Sequence, residues 1–166
     1  MPDERQQIVT AARAQIDGQL AGRGAVRQDV VVRAPSGRSG RAAELAVVAP
    51  GAEHTAGGGY RAADLEAVLE VTDRSRRAGD PAGRHRFLAE CGIPLYVVVD
   101  PVAAVCTVHS APQPGGTYRE AERVPFGNDL FLPLAERTLV LRTDDFPVGP
   151  ATPDAEPGGG RGIVDG

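Results

Sequence analysis

The stretch "VLEVTDRSRRAGDPAGRHRFL", from Val68 to Leu88, places Glu70 inside an apolar strand and follows it with an arginine cluster. An ionised carboxylate in a sheet interior costs on the order of several kcal/mol unless a cation or a set of donors meets it. Glu70 therefore needs a partner, and Arg84 is the candidate. Arg84, Phe87, Leu88 and Cys91 fall at i, i+3, i+4 and i+7, so they share the inward face of a helix and the guanidinium is directed at the sheet. Glu44 opens the neighbouring strand and can bring a second carboxylate to the same corner. Two carboxylates with a main-chain carbonyl, for which that of Val71 is the candidate, form an oxygen-rich site suited to Mg2+, with Mn2+ as an alternative ion. Such an ion polarises a phosphoryl oxygen and supplies a hydroxide-like nucleophile.

Each of these residues also has a plainer reading. The Glu70 and Arg84 pair can serve only to orient the connection between two strands, and perturbed carboxylates point to function only statistically. Glu44 can be a solvated strand start, and Asp80 reads as an N-cap. Arg74, Arg76 and Arg77 are either a solvated loop or a set of cations tracking a phosphate backbone, and the sequence alone leaves both open.

The elements that must position these groups follow from periodicity. Ile8, Val9, Ala12, Ile16 and Leu20 form one stripe at helical spacing, stopped by Gly22 and Gly24. "DVVVRAP" and "AELAVVAP" flank a "PSGRSG" turn and predict an antiparallel hairpin. "GAEHTAGGGYRAA" is a loop. "DLEAVLEV" alternates, with Leu65, Ala67, Leu69 and Val71 on one face and Glu66, Val68 and Glu70 on the other. Asp80 and Pro81 start a helix that runs to about Cys91 and is closed by Gly92. "LYVVVDP" has the uninterrupted apolar character of a strand buried on both faces. Strand, helix and strand in this order predict a right-handed crossover between parallel neighbours. "AVCTVHSA", "GGTYREAERVP" and "RTLVLRTDDF" alternate polar with apolar residues, as expected of an antiparallel extension at the sheet edge.

Composition narrows the chemistry. The chain has 166 residues, enough for one domain, and the residues from 147 to 166 have too little apolar content to fold, which predicts a disordered tail. All eighteen basic residues are arginine. The absence of lysine excludes a lysine-bearing phosphate loop and any mechanism that needs an ammonium group. A net charge of -4 argues against a broad, nonspecific nucleic-acid surface while leaving room for a local patch. Cys91 and Cys106 belong to no CxxC or zinc spacing, and Cys91 is expected in the core. His54, His85 and His109 share no ligand spacing, and Ser110 has no nucleophile context. With no leader-like opening and no membrane-length apolar run, a soluble cytoplasmic protein without membrane contact is expected.

The order of these patterns resembles the Uma-type restriction endonuclease family of the PD-(D/E)XK nuclease superfamily. The positions that carry the resemblance are Ala43 and Glu44, Glu70 and Val71, Asp80 and Arg84, Leu88, the Gly92, Ile93 and Pro94 step, and Val99 with Asp100. It covers roughly residues 26 to 146, and "GIPLYVVVDP" at its offset from Asp80 is the most specific part. The resemblance implies a single restriction-endonuclease-like α/β domain over 1–146, a mixed β-sheet flanked by helices. It also implies metal-dependent cleavage of DNA, with Glu44 and Glu70 as ligands and the basic residue steadying the attacking water or the phosphate. A homodimer suits enzymes that cut both strands. The departures are specific: the family aspartate is Glu44, its lysine is Arg84, and the early E-L-I-x-G hairpin of the family is missing, since "AQIDGQLAG", which echoes it with Gln15 and Gln19 in place of carboxylates, lies too close to Glu44. Arginine stays protonated in proteins, so it stabilises charge but accepts no proton. These departures leave open a second expectation, an inactive relative that acts as a nucleic-acid or protein binding module.

Overall fold

The computed structural model describes residues 3–37, 39–72 and 80–149. Helix α1 spans Glu4–Leu20 and is followed by the hairpin of β1 (Ala25–Arg33) and β2 (Gly40–Val48). A short β3 (Tyr60–Arg61) and a 3-10 turn (Ala62–Asp64) lead into β4 (Leu65–Val71). Helix α2 (Pro81–Glu90) and β5 (Leu95–Asp100) come next, then β6 (Val105–Gln113), β7 (Thr117–Pro125), β8 (Asp129–Pro133) and β9 (Thr138–Arg142). The main sheet has seven strands in the order β3-β1-β2-β4-β5-β6-β7. It is mixed, because β4 and β5 are parallel across the α2 crossover while β2 with β4, β5 with β6 and β6 with β7 are antiparallel.

One core lies on each face of this sheet. The apolar stripe of α1, Ile8, Val9, Ala12, Ile16 and Leu20, is fully buried and packs against Leu45, Leu69 and Val97 and against the leucines of β8 and β9. On the opposite face Leu88 of α2 joins Val68, Ile93 and Tyr96. Strand β4 alternates as expected at Ala67, Leu69 and Val71 on one face and Val68 on the other. Leu65 differs: it belongs with Val68, because the β2 to β4 register shifts between Val47 and Val48.

Several features depart from the sequence expectation, among them β3 (Tyr60–Arg61), which lies within the stretch "GAEHTAGGGYRAA" read as a loop. The segment "RTLVLRTDDF" does not extend the main sheet; its strand β9 pairs with β8 in a separate two-stranded sheet. Alternation specifies a half-buried strand but not which layer receives it. Cys91 caps α2 at half-buried exposure, whereas Cys106 is fully buried. Residues 150–166, the larger part of the expected tail, lie outside the described residues. Among the described residues no helix is long and apolar enough to cross a membrane.

Gln15 and Gln19 act as a surrogate strand for the edge of β9. Gln19 accepts from the Val140 N–H at 2.8 Å and donates to its carbonyl at 2.7 Å, and Gln15 does the same for Arg142 at 2.7 and 3.0 Å. The spacing works because four residues of helix advance about 6 Å and two residues of strand about 6.7 Å. The amide offers both a donor and an acceptor, whereas an ionised carboxylate only accepts and cannot replace it here at neutral pH. Gln19→Glu should lower stability by about 1 kcal/mol at pH 7, the typical worth of one hydrogen bond. The loss should shrink near pH 4, where a protonated glutamate can donate again. Thermal unfolding at the two pH values checks this, and an equal loss at both would contradict the account.

Candidate active site

Strands β2 and β4 pair as far as Leu45 opposite Leu69 and then part. The next residues on the two strands are Glu44 and Glu70. A reversal in the hairpin coincides with this point, since the β1 to β2 register runs from Gln28 opposite Leu45 to Val30 opposite Ala43 and omits Asp29 and Glu44. Asp29 is in the left-handed region at φ 53°. Val26 therefore faces the α1 core while Val30 and Val32 face the α2 core, although all three occupy even positions. The outer half of the hairpin turns away from β4, which leaves a notch lined by the two carboxylates.

Glu44 closes the interrupted ladder. Its Oε2 accepts the Val71 N–H at 3.3 Å, and the following Thr72 N–H turns the other way, to the Val99 carbonyl at 2.8 Å. In a strand the N–H and C=O of one residue point to the same side, so the Val71 carbonyl also faces the notch. The Oε1 of Glu44 receives both Nε and Nη2 of Arg5, each at 2.7 Å.

Glu70 lies across from it, only 4% exposed. Arg84 Nη1 stands 3.6 Å from its Oε2, an ion pair too long for a hydrogen bond. Its Oε1 has no hydrogen-bond partner among the described residues, and neither has Arg84 Nε. Asp80 fixes the start of α2 by accepting the Gly83 N–H at 3.0 Å, with Pro81 in the first turn. That cap sets Arg84 in the turn facing β4. Arg41 buttresses it, with Nη2 3.5 Å from Asp80 Oδ2 and its guanidinium 5.9 Å from the Phe87 ring centre.

Burial dominates the electrostatics of Glu70 and pushes its carboxyl up to about 7; Arg84 opposes the shift, the charge of Glu44 adds to it, and the Glu44 amide opposes it. The Tyr96 phenol is also pushed up, first by burial and then by the charge of Glu70. A raised pKa means that the folded protein binds a proton its unfolded chain has already released.

The donor set fits a hard divalent ion. Among the described residues no group of three or more His, Cys, Asp or Glu side chains is placed to hold a metal. An ion at the notch would have Glu44, Glu70 and the Val71 carbonyl, with water completing its shell, as Mg2+ prefers. The unpartnered Oε1 of Glu70 suits that role, provided that Arg5 yields its hold on Glu44.

The structure thus brings Glu44, Glu70, Val71 and Arg84 together. Arg74, Arg76 and Arg77 lie outside the described residues. Arg5 was missed, although it continues the α1 stripe one turn toward the N-terminus, four residues before Val9, and an arginine on an inward face is the signal that singled out Arg84. The pair of His85 and His109, with ring centres 4.8 Å apart, was also missed, because no local spacing joins a helix to a strand two elements away.

Comparison with known proteins decides the family: residues 1–144 match the model described as "Uma2: Putative restriction endonuclease". The chain belongs to the Uma2 family. A solved structural neighbour of this Uma2 protein is the crystal structure of a "putative nuclease belonging to DUF820" from Anabaena variabilis ATCC 29413. The two superpose with a TM-score of 0.61 at 12% identity, over 82% of this chain and 74% of that one, which shows a shared fold. No curated protein matches the Uma2 chain.

The raised Glu70 pKa gives a signed prediction. Below about pH 4.5 the carboxyl is neutral in both states and carries no penalty. Between about 4.5 and 7 the unfolded chain ionises first, so stability falls as pH rises, by on the order of 3 kcal/mol in total. Glu70→Gln should remove this fall and be the more stable protein at pH 8. Denaturant unfolding across pH 4 to 8 checks it, and parallel curves for the two proteins would contradict it.

Proposed function

We propose that this Uma2 protein is a Mg2+-dependent endonuclease that hydrolyses phosphodiester bonds in DNA. Mn2+ is an alternative ion. The observation that carries the reading is the buried Glu70, with one oxygen unpartnered among the described residues, beside Glu44 where β2 and β4 separate. Glu44, Glu70 and the Val71 carbonyl would hold the ion. When bound, it would polarise the phosphate and lower the pKa of the attacking water. Arg84 neutralises charge that develops on the phosphate and orients the nucleophile, but its guanidinium accepts no proton. Arg74, Arg76 and Arg77, four to seven residues beyond Glu70 in sequence, would contact the DNA backbone. Such contacts make affinity depend steeply on salt. A homodimer would supply two such sites for the two strands of a duplex. The free thiols Cys91 and Cys106 suit the cytoplasm.

The replacement of the family lysine by Arg84, together with the hold of Arg5 on Glu44, favours one second reading: an inactive relative that retains the fold and binds nucleic acid or protein. Plasmid cleavage with Mg2+ distinguishes the two. An active parent should lose about two or more orders of magnitude of rate on Glu70→Ala or Glu44→Ala, as expected when transition-state charge stabilisation is removed. A parent that cuts nothing, alongside an Arg84→Lys variant that does, would identify the decayed form.

A further inference from the structure

Little apolar surface holds α2 to the sheet, for only Leu88 and Ala89 in it are fully buried. Beyond its C-terminal end the Tyr118 hydroxyl donates to the Ile93 carbonyl at 2.9 Å. In its middle the half-buried ring of His85 stands nearly perpendicular to three rings from three strands. His109 of β6 lies 4.8 Å away between ring centres, Tyr118 of β7 5.3 Å and Tyr96 of β5 6.0 Å. Strand β6 reverses to assemble this cluster. Regular alternation from Val124, which faces the α1 core, would put Tyr118 on that same side. It faces α2 instead, because the register omits Ala111 and Arg119 and Ala111 is left-handed at φ 56°, a conformation that is costly for a residue with a Cβ.

We infer that His85 and His109 form a proton-sensitive fastening of α2: as neutral rings they hold the helix, and with it Arg84, against the sheet, and when both take up a proton the two like charges loosen it. The inference is independent of the metal-site reading. Among the described residues, the groups that face the pair offer no counter-charge. Tyr96 and Tyr118 are phenols pushed up by burial, and so neutral wherever histidine titrates. On α2, Arg84 is directed at Glu70 and Arg86 is paired with Glu90 at 2.8 Å. Opposite His109 on β7 is Ala121, with the cations Arg119 and Arg123 two residues to either side, while Glu120 and Glu122 oppose Ser110 and Val108 on the other face. Glu70, pushed up to about 7, is protonated before His109, because burial and then the neighbouring His85 hold that imidazole below its ordinary value. The folded state thus favours a neutral His109. Its contribution to stability is complete above the ordinary histidine pKa and is lost as the pH falls through the lowered one, opposite in sign to Glu70.

The test reads α2 directly, through amide hydrogen exchange of residues 84–91 expressed as protection factors, which removes the intrinsic pH dependence of exchange. The parent, His85→Phe and His109→Phe are compared at about pH 7.5 and about pH 5. Phenylalanine keeps a ring that takes up no proton, and the titration of Glu70 is common to all three proteins. Protection of α2 relative to β5 should fall about tenfold or more in the parent and less than about twofold in either variant, the scale set by two unit charges in a partly solvated site. An equal fall in parent and variants would assign the loosening to another group and overturn the inference, as would a parent whose protection does not change. Imidazole NMR titration of the parent decides the matter where a variant does not fold. The two histidines must titrate in coupled steps, the second proton entering at lower pH than the first, with α2 protection lost on the second. Two independent titration curves would contradict the fastening.

Discussion

A single hydrogen bond, from the Val71 N–H to the carboxylate of Glu44, marks the place on which the rest of the site depends. The ladder between β2 and β4 stops at Leu69, two residues earlier, and without a substitute the β4 amide would be left unpaired at the rim of the core. A side chain completes the ladder in place of a backbone carbonyl. Glu44 is thereby fixed at the level of Glu70, and the Val71 carbonyl is turned toward the same notch. The left-handed Asp29 on β1 allows the hairpin to bend away at this level. The opening is thus a product of backbone geometry, and the charged residues occupy it.

Having opened a notch in a buried sheet, the protein must stabilise what it places there. Burial of Glu70 outweighs the attraction of Arg84, which is why its carboxyl is pushed up and not down. Paired charges removed from water recover their desolvation cost only when geometry and additional hydrogen bonds are good. Here they are good for Glu44 and poor for Glu70. That asymmetry between two adjacent carboxylates is the feature on which the metal-site proposal is built. The use of arginine throughout has a consequence as well: both cations stay charged, so the chain's own contribution at the notch is electrostatic and positional.

Much of the architecture was legible because it rests on local signals. The buried stripe of α1, the alternation of β4, the Asp80 and Pro81 start of α2, its closure at Gly92 and the apolar run of β5 each carry their own periodicity or cap chemistry. The meeting of Glu70 with Arg84 followed from two such signals, a charge within an apolar strand and a charge on the inward face of a helix. Other features depend on relations between elements that periodicity does not encode. The β8 and β9 pair docks on α1 through Gln15 and Gln19, residues that read in sequence as altered carboxylates and prove to be amides chosen for their two-sided hydrogen bonding. The reversal at Asp29 exchanges the faces of β1, which no alternation pattern anticipates. Arg5 was detectable in principle, as a cation extending an apolar stripe.

The most direct test of the central claim is a crystal structure of the protein grown or soaked with Mn2+, with the ion located by its anomalous scattering. The metal-site proposal predicts one peak in the notch, within coordination distance of an oxygen from Glu44 and an oxygen from Glu70. Crystals fully exposed to the ion that show no density there, both carboxylates still on their arginines, would contradict it.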